Sequence, residues 1–150
     1  MDVKILVAGL GNTLMKDDGI GVYLSRYLKT EKIKGIQIQE IGVEDWRVPC
    51  IASGFKDVVL IDAVDMEALP GQIVVWEDVD FVEIAGISLH TMSFISELSL
   101  VRALKKLPKR IFLFGIQPEK IDWGIGLTDS LNNQFFSIAG RLKNFVESLV

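Results

Sequence analysis

Apolar residues in this chain fall into two patterns, short unbroken runs and longer stripes that repeat every three or four positions. Five runs rich in Val and Ile, at about 3–8, 36–41, 58–62, 73–76 and 111–116, read as buried strands. The stripes between them read as helices. After Asp18, the residues Ile20, Val22, Tyr23, Leu24, Tyr27 and Leu28 form a broad apolar face with Arg26 and Lys29 opposite. From Ser93 to Leu107, Phe94, Leu98, Val101 and Leu104 recur at steps of four, three and three, so one side is apolar. The last stripe, Leu131, Phe135, Ile138, Leu142, Phe145 and Leu149, alternates fours and threes. These stripes are core positions.

Strand and helix alternate, which predicts an α/β fold: a three-layer α/β/α sandwich around a mostly parallel five-stranded sheet. One link breaks the rule. Only about ten residues separate Asp62 from Ile73, marginal for a crossover that must contain a helix. Strand 73–76 is therefore expected to be antiparallel or at an edge. No repeat, low-complexity tract or Pro/Gly linker divides the chain, so residues 1–150 are expected to form one domain.

Composition narrows the function. A hydrophobic content of 49% fills a core without disulfides, and the only cysteine, Cys50, reads as a small buried hydrophobe in a reducing, cytoplasmic setting. Sixteen basic and 20 acidic residues give a net charge of −4 with no basic stripe, which argues against nucleic acid as a partner. The run from Val3 to Ala8 is broken by Gly9 and Gly11. No stretch reaches the roughly 20 apolar residues that span a bilayer, so neither a leader nor membrane insertion is expected.

The sharpest local motif runs from Gly9-Leu10-Gly11-Asn12 to Asp17-Asp18-Gly19-Ile20-Gly21, after the first strand and into the first helix. It resembles a dinucleotide loop, but Leu14 stands where the third glycine should be, and two carboxylates would face an incoming pyrophosphate. Helix capping by Asp17 or Asp18 accounts for one acid, not for the pair. Asp62 closes an apolar strand at its carboxyl end, where open α/β sheets bind ligands; bonding to nearby loop amides is the plainer alternative.

His90 is the only histidine. That excludes three-histidine zinc sites and the H-E-x-x-H helix, and leaves a mixed site in which two carboxylates and one imidazole meet a borderline divalent ion. A dyad of His90 with Cys50 lacks recognisable context, and no G-x-S-x-G elbow occurs. Gln117 and Glu119 leave the fifth strand on the same rim as Asp62, to position substrate or to form a turn. Glu40, Glu44 and Asp45 follow the second strand and could meet a basic peptide or face solvent.

Taken in order, Gly9-Leu-Gly-Asn, Asp17-Asp18-Gly19-Ile-Gly21, Ile61-Asp62-Ala63, His90 and Gly115-Ile-Gln-Pro-Glu119 resemble the hydrogenase maturation endopeptidases, or hydrogenase-specific C-terminal proteases, over residues 5 to 150. The closest likeness is to the branch serving hydrogenase 3-type enzymes. The resemblance implies an α/β/α fold and nickel-dependent cleavage near the C-terminus of a [NiFe]-hydrogenase large-subunit precursor. It implies that Asp18, Asp62 and His90 are the nickel-binding set, with Asp17 adjacent; the same three are the expected catalytic residues, and the nickel is expected to arrive with the substrate. A Gly-Gly-Thr or Gly-Gly-Ser turn common in the family is replaced by Ile41-Gly42-Val43-Glu44-Asp45-Trp46, so Gly42, Glu44 and Gln117 are the candidate substrate contacts. A monomer is expected. The competing readings are a non-catalytic chaperone for the nickel-loaded subunit and, more weakly, a nucleotide-binding enzyme.

Overall fold

Each unbroken apolar run becomes a strand whose two faces feed two different cores. The computed structural model describes residues 4–43, 52–77 and 84–150. Its strands are β1 (Ile5–Leu10), β2 (Ile36–Gly42), β3 (Asp57–Ala63), β4 (Ile73–Glu77) and β5 (Arg110–Ile116), and its helices are α1 (Ile20–Thr30), α2 (Leu89–Lys105) and α3 (Asp129–Ser148). Because side chains alternate along a strand, Ile5 and Val7 pack with Val59, Ile61, Phe112 and Phe114 under α1 and α3, while Leu6, Ala8, Val58, Leu60 and Leu113 pack under α2. That division is why the central strands are apolar without alternation.

The five strands form one sheet in the order β2-β1-β3-β5-β4. The first four are parallel. β4 occupies the edge and runs antiparallel to β5, as the ten-residue link predicts. Arg110 grips the buried Asp57 with two bonds of 2.9 Å at the start of β3 and β5, the end of the sheet opposite the strands' carboxyl ends.

The expected stripe of α3 holds throughout: Leu131, Ile138 and Leu142 are buried, with Phe135, Phe145 and Leu149 packed against the same core. α2 differs in two ways. It starts at Leu89, four residues before the expected Ser93, because Ser88 caps it by accepting the Thr91 N–H at 3.2 Å. Leu104, expected on the apolar side, is 72% exposed, whereas Phe94, Ile95 and Leu98 are buried. The stripe thus turns to solvent before the helix ends. Among the described residues no helix is long and apolar enough to cross a membrane.

Candidate active site

From β1 the chain turns to β2 on one side and then to β3 on the other, so the carboxyl ends of β1 and β3 open a crevice of the kind that binds ligands in α/β sheets. Glycines let its walls approach closely. A Cβ on Gly21 would lie 2.2 Å from the Ile61 carbonyl oxygen and 2.4 Å from that of Leu10, so α1 sits directly on β1 and β3. Gly11 adopts φ +118°, a conformation that side chains rarely allow, and donates its N–H to the Gly42 carbonyl at 3.0 Å. The glycines that looked like a nucleotide fingerprint serve this packing, and Leu14, in the place of the third, is 52% exposed.

The cleft is lined by Gly11, Asp18, Gly42, His90 and Thr91, with Leu10, Ile41 and Phe94 as its apolar part. Asp18 reaches it from the 3-10 turn Lys16–Gly19 that precedes α1, its Oδ2 accepting the Asn12 N–H at 2.9 Å. It does not cap α1. The N-cap is Gly19, without a side-chain bond, so the capping expectation fails for Asp18. His90 lies in the first turn of α2, exposed, and its imidazole makes no hydrogen bond with a described residue.

Asp62, near the end of β3, is 1% exposed and lies just beneath the cleft floor. One carboxyl oxygen would be 3.4 Å from a Cβ on Gly11. Oδ1 accepts the Ala63 N–H at 2.8 Å, and Oδ2 accepts the hydroxyl of Thr91. Burial pushes its pKa up to about 7, with the Asp18 charge adding to the rise; the bonds from Thr91 and Ala63 pull the other way. The strand-end acid therefore bonds its own next amide and a helix hydroxyl, not a string of loop amides.

Asp17 has a different task from its neighbour. It is fully buried and accepts the N–H groups of Glu119, Lys120 and Thr128 together with the Thr128 hydroxyl, so it ties the segment after β5 to the start of α1. It caps no helix. Gln117 is also buried: its Oε1 accepts the Met66 and Ala68 N–H groups, and its Nε2 donates to Asp65 and to the Pro118 carbonyl. Its hydrogen-bonding groups hold the loop after β3 and do not line the cleft. Glu40, read as a peptide contact, is held in two bonds by Arg26, which keeps its carboxyl below the usual range. Gly42 is on the cleft wall, in a left-handed conformation (φ +71°). Glu44, Asp45 and Cys50 lie outside the described residues.

The 3-10 turn and α2 thus bring Asp18 and His90 to one cleft, and β3 sets Asp62 beneath it. Among the described residues no three His, Cys, Asp or Glu side chains close together as a metal-holding group. Thr91, which sequence reasoning missed, links Asp62 to the helix that carries His90. Its only sequence signal is its position three residues after the helix-capping Ser88.

Several known proteins similar to this chain carry hydrogenase maturation or formation in their names. A family model described as HycI, hydrogenase maturation protease, matches residues 26–142. The hydrogenase expression/formation protein HupD of Thiocapsa roseopersicina is 31% identical over 81% of this chain, and the match spans 57% of that protein's length. The fold is that of the hydrogenase maturating endopeptidase HybD from E. coli, with a TM-score of 0.85, 23% identity, and coverage of 97% of this chain and 93% of that one. The [NiFe] hydrogenase maturation protease HybD from Thermococcus kodakarensis superposes with a TM-score of 0.80 at 28% identity, over 95% of this chain and 98% of its own. Because that family model matches more than half of its residues, this chain belongs to the hydrogenase maturation protease family.

Proposed function

We propose that the chain removes the C-terminal extension of a [NiFe]-hydrogenase large-subunit precursor once that precursor carries nickel. The observation behind this reading is that Asp18 and His90 line the sheet's switch-point cleft, with the buried Asp62 beneath them, joined through Thr91 to the helix that carries His90.

The nickel in this reading is part of the substrate. Two carboxylates and an imidazole are donors that a borderline divalent ion accepts, and they do not distinguish nickel from zinc by affinity alone. Selectivity then comes from the precursor, whose own ligands bring the ion. When bound, the ion would supply a ruler for the scissile bond and Lewis-acid polarisation of its carbonyl. Asp18 and His90, on the cleft surface, would receive it, with the buried Asp62 behind them. The apolar wall of Leu10, Ile41 and Phe94 shelters the tail, and a carboxylate of the Asp18 and Asp62 pair takes the proton of the attacking water.

The test is intact-mass analysis of nickel-loaded and nickel-free precursor incubated with the protein. Loss of a C-terminal peptide from the loaded form alone is expected. Cutting of both forms removes the nickel gate, and tight binding with an uncut tail turns the reading into a chaperone.

A further inference from the structure

His90 and Thr91 are consecutive residues in the first turn of α2, yet one is exposed on the cleft and the other is 2% exposed against the sheet. Successive residues of a helix point about 100° apart, so a single turn can present an imidazole to the cleft and a hydroxyl to what lies beneath it. Beneath it lies Asp62.

With the Asp62 carboxyl ionised, the polarity of the hydrogen bonds follows from counting protons. The Thr91 N–H and the Ser88 Oγ bond at 3.2 Å, and the Ser88 hydroxyl donates to the Thr91 Oγ1 at 3.0 Å. The single hydroxyl proton of Thr91 is then directed at Asp62 Oδ2, while Oδ1 takes the Ala63 N–H. One oxygen of the carboxyl is fixed by its own strand and the other by the helix that holds His90. Ser88, Thr91 and Asp62 form a directed chain whose last acceptor is a site residue.

Resting on the proposed function, we infer that Thr91 is the positioning residue of this site: its hydroxyl fixes the Asp62 carboxyl and sets it in register with His90. The methyl of Thr91 serves packing, and the hydroxyl serves the site. A threonine kept for helix packing alone would be replaceable by valine, which has the same shape without the donor.

The experiment compares Thr91→Val and Thr91→Ser in the full chain, both first checked for cooperative melting. With nickel-loaded precursor, Thr91→Val should lose about 10- to 100-fold in kcat, the scale of a displaced catalytic group. Its KM should stay within about threefold, since an interaction that matters only in the transition state leaves substrate binding in place. Thr91→Ser should keep its rate within about threefold. Should Thr91→Val fail to fold, Ser88→Ala takes its place, because it frees the Thr91 hydroxyl to turn and should cost roughly 3- to 10-fold. An unchanged rate in the hydroxyl-deficient variant, or equal losses in Val and Ser variants, overturns the assignment. Crystal structures of the same proteins without precursor keep this test independent of the cleavage reading. Asp62 turned away in Thr91→Val and held in Thr91→Ser supports the role even if the wild type cuts nothing. An unmoved Asp62 in Thr91→Val overturns it.

Discussion

The carboxylate of Asp17 accepts the backbone N–H of Thr128 at 2.8 Å and its hydroxyl at 2.8 Å, joining residues 111 positions apart. With the Glu119 and Lys120 amides, this one buried side chain pins both ends of the segment from Glu119 to Thr128. Replacing it with alanine leaves those buried donors unsatisfied, so Asp17→Ala should lose about 2–4 kcal/mol in urea unfolding. A loss under about 0.5 kcal/mol, the range of ordinary surface changes, would contradict this account.

The other acid of the pair and the histidine should behave oppositely. His90 is exposed, and Asp18→Asn retains an oxygen for the Asn12 amide. Both His90→Ala and Asp18→Asn should stay within about 0.5 kcal/mol of wild-type stability. Both should abolish precursor processing, followed by mass. Full processing by either variant removes that residue from the mechanism.

Asp62 gives the protein a pH signature. Burial lifts it to about 7, so across mild acid the folded chain keeps a proton that the unfolded chain has already released. Its contribution is complete below the ordinary carboxylate range and declines as pH rises to about 7. Denaturant titrations from pH 4 to 8 should therefore show wild type losing about 1–3 kcal/mol relative to Asp62→Asn. Parallel curves for the two proteins would mean that Asp62 titrates as an ordinary carboxylate.

Gly21 tests the close seating of α1. The atoms that a Cβ would strike there are backbone carbonyls of Ile61 and Leu10, which cannot rotate away. Gly21→Ala should cost about 1–3 kcal/mol by overpacking, read as a lower melting temperature. A neutral outcome would show that the helix can lift off the sheet without penalty.

How much of this was legible beforehand follows from which interactions are local. The central strands and α3 announce themselves because burial on two faces, or on one helical stripe, forces a pattern on neighbouring residues. The reversal of β4 was legible from the length of one link. The start of α2 was not, since Ser88 and Thr91 act there through a cap and the apolar stripe begins only at Phe94. Asp62 could be placed at the carboxyl-end rim of the sheet from strand topology alone. The separate tasks of Asp17 and Asp18 could not, because they depend on partners as distant as Thr128 and as near as Asn12. Nor could the pairing of Glu40 with Arg26, which requires β2 to lie beside α1.

The antiparallel course of β4 bears on how accurately a peptide bond is chosen. Reversal lets the chain return from Ala63 to Ile73 along the rim itself, and Gln117 clamps that return with bonds to Met66, Ala68 and Asp65. Asp62 is therefore mounted beside a short, tethered stretch, and under the proposed function that tether would limit how far the carboxyl shifts when a tail arrives. Under the proposed function, a loop loosened by Gln117→Ala would let the Asp62 carboxyl wander, and mass analysis of the cut product would show it as a ragged new terminus.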